Sequence, residues 1–152
     1  MLYTDATKTA LKICYEAHAG QVDKSGLPYV FHPFHLAEQM ATEHETCVAL
    51  LHDVMEDTPI TADDLIAAGI PEAYVRTCLL LTHDPGMPYL DYVARLAHDP
   101  IARKVKMADL HHNSDLTRLD HEPTERDLQR IEKYRAALEL LEAAASEGRA
   151  ER

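Results

Sequence analysis

The sequence predicts an all-α protein, a compact helical bundle, and three observations support this prediction. Apolar residues recur at helical spacing in segment after segment, and no segment alternates between apolar and polar residues as a half-buried strand does. Capping residues and prolines stand where these segments begin. The connections between segments are short, which is typical of helices that pack against one another.

Three helices and one loop are predicted in the first part of the chain. Apolar periodicity predicts an amphipathic helix over about residues 5–19, and a polar loop follows over residues 20–29. Pro33 suits the first turn of the next helix. A further helix is predicted from about residue 45 or 46 to residue 57, where an apolar run leads into acidic residues.

Capping and helix-breaking residues divide the rest of the chain. Thr61, with Asp64 three residues later, caps a short helix that Gly69 closes. Further helices are predicted to begin at Pro71, about Tyr89, Pro100 and Thr124.

Length and composition indicate one globular domain over residues 1–145, followed by a polar tail over residues 146–152. The net charge of −11 disfavours binding to nucleic acid or to anionic membranes, which requires a basic surface. No stretch approaches the roughly 18 apolar residues of a membrane span, and the three cysteines form no paired motif. A cytoplasmic location is therefore expected. The acidic last helix is either a solvated face or a contact in a homo-oligomer.

A cluster of acidic groups at the end of one predicted helix indicates a functional site. His52 and Asp53 follow an apolar run, Glu56 and Asp57 lie one turn further on, and Pro59 ends the helix. Carboxylates in a last turn are disfavoured by roughly 0.3–1 kcal/mol each, because the helix dipole is negative there. A bound cation would relieve the repulsion. The alternative is a solvated helix end with an incidental histidine.

Two further segments could complete a metal site. His32 precedes Pro33 at a helix start, and Asp109 shares a helix face with Asn113. A histidine such as His32, taken alone, is more often a core or capping residue. The metal-ligand set is mixed in nitrogen and oxygen and suits Mn²⁺, Fe²⁺ or Zn²⁺ better than Ca²⁺ or Mg²⁺. Its members are His32, His52, Asp53 and Asp109.

Three segments together resemble the HD-domain phosphohydrolases, and specifically the hydrolase domain of the Rel/Spo-type alarmone hydrolases. They are residues 18–33, with the run Lys-Ser-Gly-Leu-Pro-Tyr-Val-Phe-His-Pro, residues 52–58, and residues 106–113. Their order and spacing agree with the family over roughly the first 120 residues. The chain resembles a short, stand-alone member that lacks the synthetase domain of the long alarmone enzymes.

The resemblance implies a role for each matched residue. The implied metal ligands are His32, His52, Asp53 and Asp109, with Mn²⁺ as the family's usual ion and Fe²⁺ or Zn²⁺ as alternatives. Glu56 and Asp57 match the acidic pair that positions and activates the attacking water. The implied substrate-binding residues are Lys24, Ser25, Lys106 and Asn113, although Lys106 could instead lie along its helix without touching phosphate. The implied reaction removes pyrophosphate from the 3′ position of guanosine tetra- or pentaphosphate.

One position departs from the family pattern. Asp23 stands where the family typically has an arginine that packs against the guanine base and its phosphates. An acid there should repel a highly anionic nucleotide, unless its side chain points away or meets a ribose hydroxyl. An HD-type nucleotidase acting on simpler nucleotides is therefore an alternative. Two further alternatives do not depend on Asp23: a two-metal HD oxygenase or phosphodiesterase that also uses His18 and His112, and a non-catalytic module that binds a metal or a nucleotide.

Overall fold

Helices account for most of the structure, a computed structural model that describes residues 1–150. No strand occurs in this described part, and an isolated bridge between Val22 and Pro28 is its only extended pairing. The all-α prediction is confirmed. The contacts divide the chain into two units, the first over residues 1–82 and the second from His83 onward.

The first unit is built around one central helix. Its helices are α1 (Asp5–Ala17), α2 (Phe31–Glu38), α3 (Glu43–Leu51), α4 (Val54–Asp57), α5 (Ala62–Ala67) and α6 (Glu72–Leu81). Every residue of α3 from Thr46 to Leu51 is buried. The helix packs against α1, α2 and α6, and α5 packs against α6. His52 and Asp53 directly follow α3, so the buried helix fixes their position in the unit.

The helix predicted over residues 45–57 is two helices in the structure. α3 begins at Glu43, because the Thr42 side chain accepts a hydrogen bond from the Glu45 amide and the Glu45 carboxylate accepts one from the Thr42 amide. It ends at Leu51, and α4 begins only at Val54. The predicted start overlooked this capping box, and no local signal marks the interruption. The turn between the helices contains His52 and Asp53.

The second unit pairs one long helix with two shorter ones. Its elements are α7 (Tyr89–Leu96), α8 (Pro100–Asn113), a 3₁₀ turn (Leu116–Arg118) and α9 (Glu125–Ala150). α9 packs against α7 and α8, with Ala137 and Leu141 buried. The predicted starts at Pro100 and Thr124 are confirmed, since Pro100 is the first residue of α8 and Thr124 precedes α9 with its hydroxyl bonded to the Asp127 amide.

The predicted single domain over residues 1–145 stays a prediction. Residues 146–150 continue α9, and residues 151–152 of the expected tail lie outside the described part of the chain. Within that part, no helix has both the length and the apolar character needed to cross a bilayer.

Candidate metal and catalytic centre

Two buried histidines meet in the first unit. His32 lies in the first turn of α2 and His52 caps the end of α3, and each is only 2% exposed. Their ring centroids are 5.4 Å apart, and each ring can direct a nitrogen to a common point, since the nitrogens lie within 4.8 Å of one another. Two imidazoles held this close can bind the same metal ion.

The ring of His52 is oriented by the helix that precedes it. Its Nδ1 lies 2.8 Å from the carbonyl oxygen of Ala49, and a carbonyl can only accept, so Nδ1 carries a hydrogen. In the neutral ring Nε2 is then an acceptor, and it lies 3.0 Å from Oδ2 of Asp53. Two acceptors at this distance repel unless a proton or a cation lies between them. The donor set in this unit therefore fits a metal cation.

A tyrosine hydroxyl supports the carboxylate of this pair. Tyr29 donates a hydrogen bond to Oδ2 of Asp53, and its ring lies against those of His18 and His32, with centroids 5.0 and 5.5 Å away. Groups that bond to metal ligands orient them and tune their basicity. No sequence pattern predicts this contact, because 24 positions separate the two residues and no periodicity relates them.

The acidic pair predicted to activate water lies on α4. Glu56 and Asp57 are both exposed, and the Asp57 amide donates to the Asp53 carbonyl oxygen at 2.9 Å. Burial of part of its side chain raises the pKa of Asp57, and the negative charge of Asp53 raises it further, while His18 and His52 act in the opposite direction. The acidic groups of this turn therefore repel one another, as the sequence indicated.

Asp23 is held by the backbone of its own loop. Its Oδ1 accepts hydrogen bonds from the amides of Ser25 at 2.9 Å and Leu27 at 3.0 Å. Gly26 follows with φ +78°, a conformation that favours glycine. Lys24 is exposed beside this turn. The acid at position 23 therefore shapes the turn that carries Lys24 and Ser25, both predicted to bind substrate.

In the second unit, a buried carboxylate is held by its own helix. Asp109, on α8, is 4% exposed; like His32 and His52, it is a buried group that can offer an atom to a metal ion. Its oxygens accept hydrogen bonds from Lys106 at 2.8 Å and Asn113 at 2.6 Å. Burial is the largest single influence on Lys106 and acts to lower its pKa, but electrostatic interactions with Asp109, Tyr92 and Tyr89 and the hydrogen bond to Asp109 together outweigh it, and the pKa is raised. Lys106 therefore remains a cation beside Asp109. That it or Asn113 contacts a substrate stays a prediction.

The structure combines an all-α fold with two buried histidines, His32 and His52, at the start and the end of two helices, and a buried aspartate, Asp109, on a third, which is the combination expected from the sequence motifs that resemble HD-type hydrolase domains. Comparison with curated proteins places the chain more narrowly. It is 44% identical over 62 residues to the bifunctional (p)ppGpp synthase/hydrolase SpoT of Escherichia coli, covering 38% of this chain and 9% of that protein. It is 31% identical over 118 residues to the guanosine-3′,5′-bis(diphosphate) 3′-pyrophosphohydrolase of Spiroplasma citri, covering 68% of this chain and 16% of the relative. The chain is a homologue of the Rel/Spo-type hydrolase domain, and the resemblance inferred from its motifs is confirmed.

A solved structure shares the fold. It is a metazoan ortholog of SpoT, described as hydrolysing ppGpp, and it aligns with a TM-score of 0.71 and 21% identity over 93% of this chain and 88% of that one. No family model matches the chain. The chain spans only about a tenth of the length of its E. coli relative.

Proposed function

We propose that this protein is a metal-dependent phosphohydrolase that removes pyrophosphate from the 3′ position of guanosine tetra- or pentaphosphate. The observation that carries the proposal is the arrangement of His52 and Asp53. Nε2 of His52 lies 3.0 Å from Oδ2 of Asp53, although Nε2 of the neutral ring and the carboxylate oxygen are both hydrogen-bond acceptors. The activities for which its relatives are named support the choice of reaction.

The proposed metal ligands are His32, His52, Asp53 and Asp109, and Mn²⁺ is the ion proposed. A divalent ion held by such a set lowers the pKa of a bound water and polarises a phosphoryl oxygen. Tyr29 orients Asp53 through its hydroxyl, and the carbonyl oxygen of Ala49 orients His52.

The two acidic residues of α4 are proposed to manage the attacking water. Glu56 and Asp57 are exposed on a single helical turn that begins beside Asp53, so that substrate and water can reach them. One carboxylate accepts a proton from the water as its oxygen bonds to the phosphorus attached to the 3′ oxygen. The bond between that phosphorus and the 3′ oxygen breaks, pyrophosphate is released, and the 3′ oxygen takes up a proton from solvent to become a hydroxyl. Lys24, Ser25, Lys106 and Asn113 are the proposed substrate-binding residues.

The bonding of Asp23 bears on the choice of substrate. Because two backbone amides share its Oδ1, part of its negative charge is offset within the loop. These hydrogen bonds from neutral amides orient the carboxylate, but they do not replace the positive charge of the arginine that the family uses. A nucleotidase acting on simpler nucleotides is therefore the second candidate, and the missing arginine favours it.

A turnover assay on metal-loaded protein tests the proposal. Chelator-treated protein, reloaded with Mn²⁺, is incubated with guanosine tetraphosphate, GTP, GDP and nucleoside monophosphates, and the released pyrophosphate or phosphate is measured. We expect release of pyrophosphate from the alarmone, and its loss in H52A/D53A. E56Q and D57N should retain the metal and lose turnover.

The assay also separates the alternatives. Turnover confined to simpler nucleotides would select the nucleotidase. Tight nucleotide binding without turnover of any substrate would select the binding module. Retention of full activity in H52A/D53A would contradict the proposed centre altogether.

A further inference from the structure

A buried histidine outside the proposed ligand set is connected to α4 through one glutamine. His18 caps the end of α1 and is 2% exposed. Its Nδ1 lies 2.8 Å from Oε1 of Gln21, and Nε2 of Gln21 donates to the carbonyl oxygen of Asp57 at 3.4 Å. The first unit therefore contains a continuous hydrogen-bonded link from α1 to the end of α4.

The direction of every bond in this link follows from its last member. A backbone carbonyl can only accept, so the amide nitrogen of Gln21 must face Asp57. Its Oε1 then faces His18, and because Oε1 also can only accept, Nδ1 of His18 carries a hydrogen. In the neutral ring the hydrogen is thus on Nδ1 and the lone pair is on Nε2.

The surroundings of Nε2 agree with this tautomer. The atom is buried, and no hydrogen-bond partner for it occurs in the part of the chain that the structure describes. A hydrogen on Nε2 would therefore face no protein acceptor, whereas a hydrogen on Nδ1 has Gln21. The ring is held in place on its other side by Tyr29, with centroids 5.0 Å apart.

The Asp57 carbonyl oxygen, which accepts the hydrogen bond from Gln21, lies at the end of a very short helix. Asp57 is the last residue of α4, where carbonyl oxygens have no partner within the helix. α4 contains only four residues, too few to be stable without outside contacts. A donor to its last carbonyl fixes where the carboxylates of Glu56 and Asp57 stand.

We propose that His18 is a positioning residue for the proposed hydrolysis: held as the Nδ1–H tautomer, it orients Gln21, which anchors the end of α4 and its acidic pair. The inference rests on the proposed function for its kinetic consequence, but the tautomer and the anchoring are properties of the protein alone. His18 acts through Gln21, without contacting substrate or metal.

Four substitutions test this relay, by which we mean the hydrogen bonds from His18 through Gln21 to the Asp57 carbonyl oxygen, and distinguish it from a purely structural role of His18. H18N keeps an N–H donor near the place of Nδ1, whereas H18L removes it. Q21E keeps the acceptor for His18 and removes the donor to Asp57. H44L removes a histidine of the same unit that stacks on Tyr74 and bonds to Thr77, away from the link, and serves as the control.

We expect kcat to fall at least about tenfold in H18L and Q21E, because small displacements of catalytic groups reduce rates strongly. KM should change less than about threefold, and H18N should recover most of kcat. Mn²⁺ affinity should be unchanged in all four variants, and H44L should keep the wild-type kcat. A loss of Mn²⁺ affinity in H18N would make His18 a ligand and overturn the inference, as would wild-type kcat in folded H18L or Q21E.

Nitrogen NMR of the imidazole decides the structural part without any assay. Labelled wild-type protein should show His18 with its hydrogen on Nδ1, and Q21L should lose this signature. Hydrogen exchange at the α4 amides should be faster in Q21E than in H44L. An Nε2–H tautomer, or equal exchange in both variants, would overturn the relay even if the enzyme turns over. Absence of turnover in the wild type together with the expected spectrum and exchange would contradict the proposed function and leave the relay supported.

Discussion

The hydroxyl of Tyr29 donates a hydrogen bond to Oδ2 of Asp53, the same oxygen that lies 3.0 Å from Nε2 of His52. A residue from the loop before α2 thus fixes the orientation of a carboxylate in the turn after α3. The proposed centre therefore includes a contact that supports a ligand, in addition to the residues that would touch the ion.

Replacing Tyr29 with phenylalanine should weaken metal binding without removing a ligand. Loss of a group that orients a metal ligand typically costs 10–100-fold in affinity, so we expect Y29F to bind Mn²⁺ about tenfold more weakly by titration calorimetry. Y15F, which alters an exposed tyrosine of α1, is the control. Equal affinity in Y29F and wild type would show that the hydroxyl does not support the ion.

Metal binding should stabilise the folded chain. A ligand present at 100 times its Kd stabilises by about 2.7 kcal/mol, so Mn²⁺ should raise the Tm of the chelator-treated protein measurably. H32A should lose this rise, whereas H35A, an exposed position on the same helix, should keep it. A rise of Tm in H32A equal to that of H35A would remove His32 from the ligand set.

The loop at Asp23 should depend on an acceptor at this position more than on its charge. D23N keeps a carbonyl oxygen for the amides of Ser25 and Leu27, while D23A removes it. Each lost hydrogen bond is worth about 1 kcal/mol, so KM for the nucleotide should rise at least roughly fivefold in D23A. D23N should bind the anionic substrate at least as well as the wild type. A D23N enzyme as impaired as D23A would show that the carboxylate itself contacts the substrate.

Removing a core side chain of α3 should strongly reduce stability. Leu50 is fully buried, and Leu→Ala changes in such sites cost roughly 2–5 kcal/mol. L79A, at a half-exposed position of α6, should change the free energy of unfolding by less than about 0.5 kcal/mol. Urea denaturation followed by circular dichroism measures both, and similar midpoints would contradict the placement of α3 at the core.

The region before α9 should contribute a pH-dependent stability near neutrality. A hydrogen bond to Asp120 raises the pKa of His121, and Asp127, which lies 3.5 Å from its ring, adds to the effect. Because the folded pKa exceeds the unfolded value of about 6.5, this contribution is fully present below that value and is lost as the pH rises through the folded pKa. H121Q should therefore flatten the stability profile on the alkaline side of about pH 6.5. An unchanged profile would contradict it.

Local signals predicted the helices well wherever a start or a stop is encoded within a few residues. Thr61 with Asp64, Pro100 and Thr124 each begin a helix where the sequence placed it, because a cap and the amide it satisfies are separated by at most three positions. Thr42 and Glu45 form the same kind of capping box, which could have placed the start of α3 ahead of the predicted one.

The motifs of the sequence by themselves determined the all-α class, the relation to Rel/Spo-type hydrolase domains and the residues proposed for chemistry. Only the tertiary structure decided how these residues are supported: the turn between α3 and α4, the bond from Tyr29 to Asp53 and the link from His18 to Asp57. Helical periodicity relates residues three or four positions apart, whereas these contacts join residues 24 and 36 positions apart. Such distant partners are selected by the packing of α1 and α2 against α3, which no local pattern encodes.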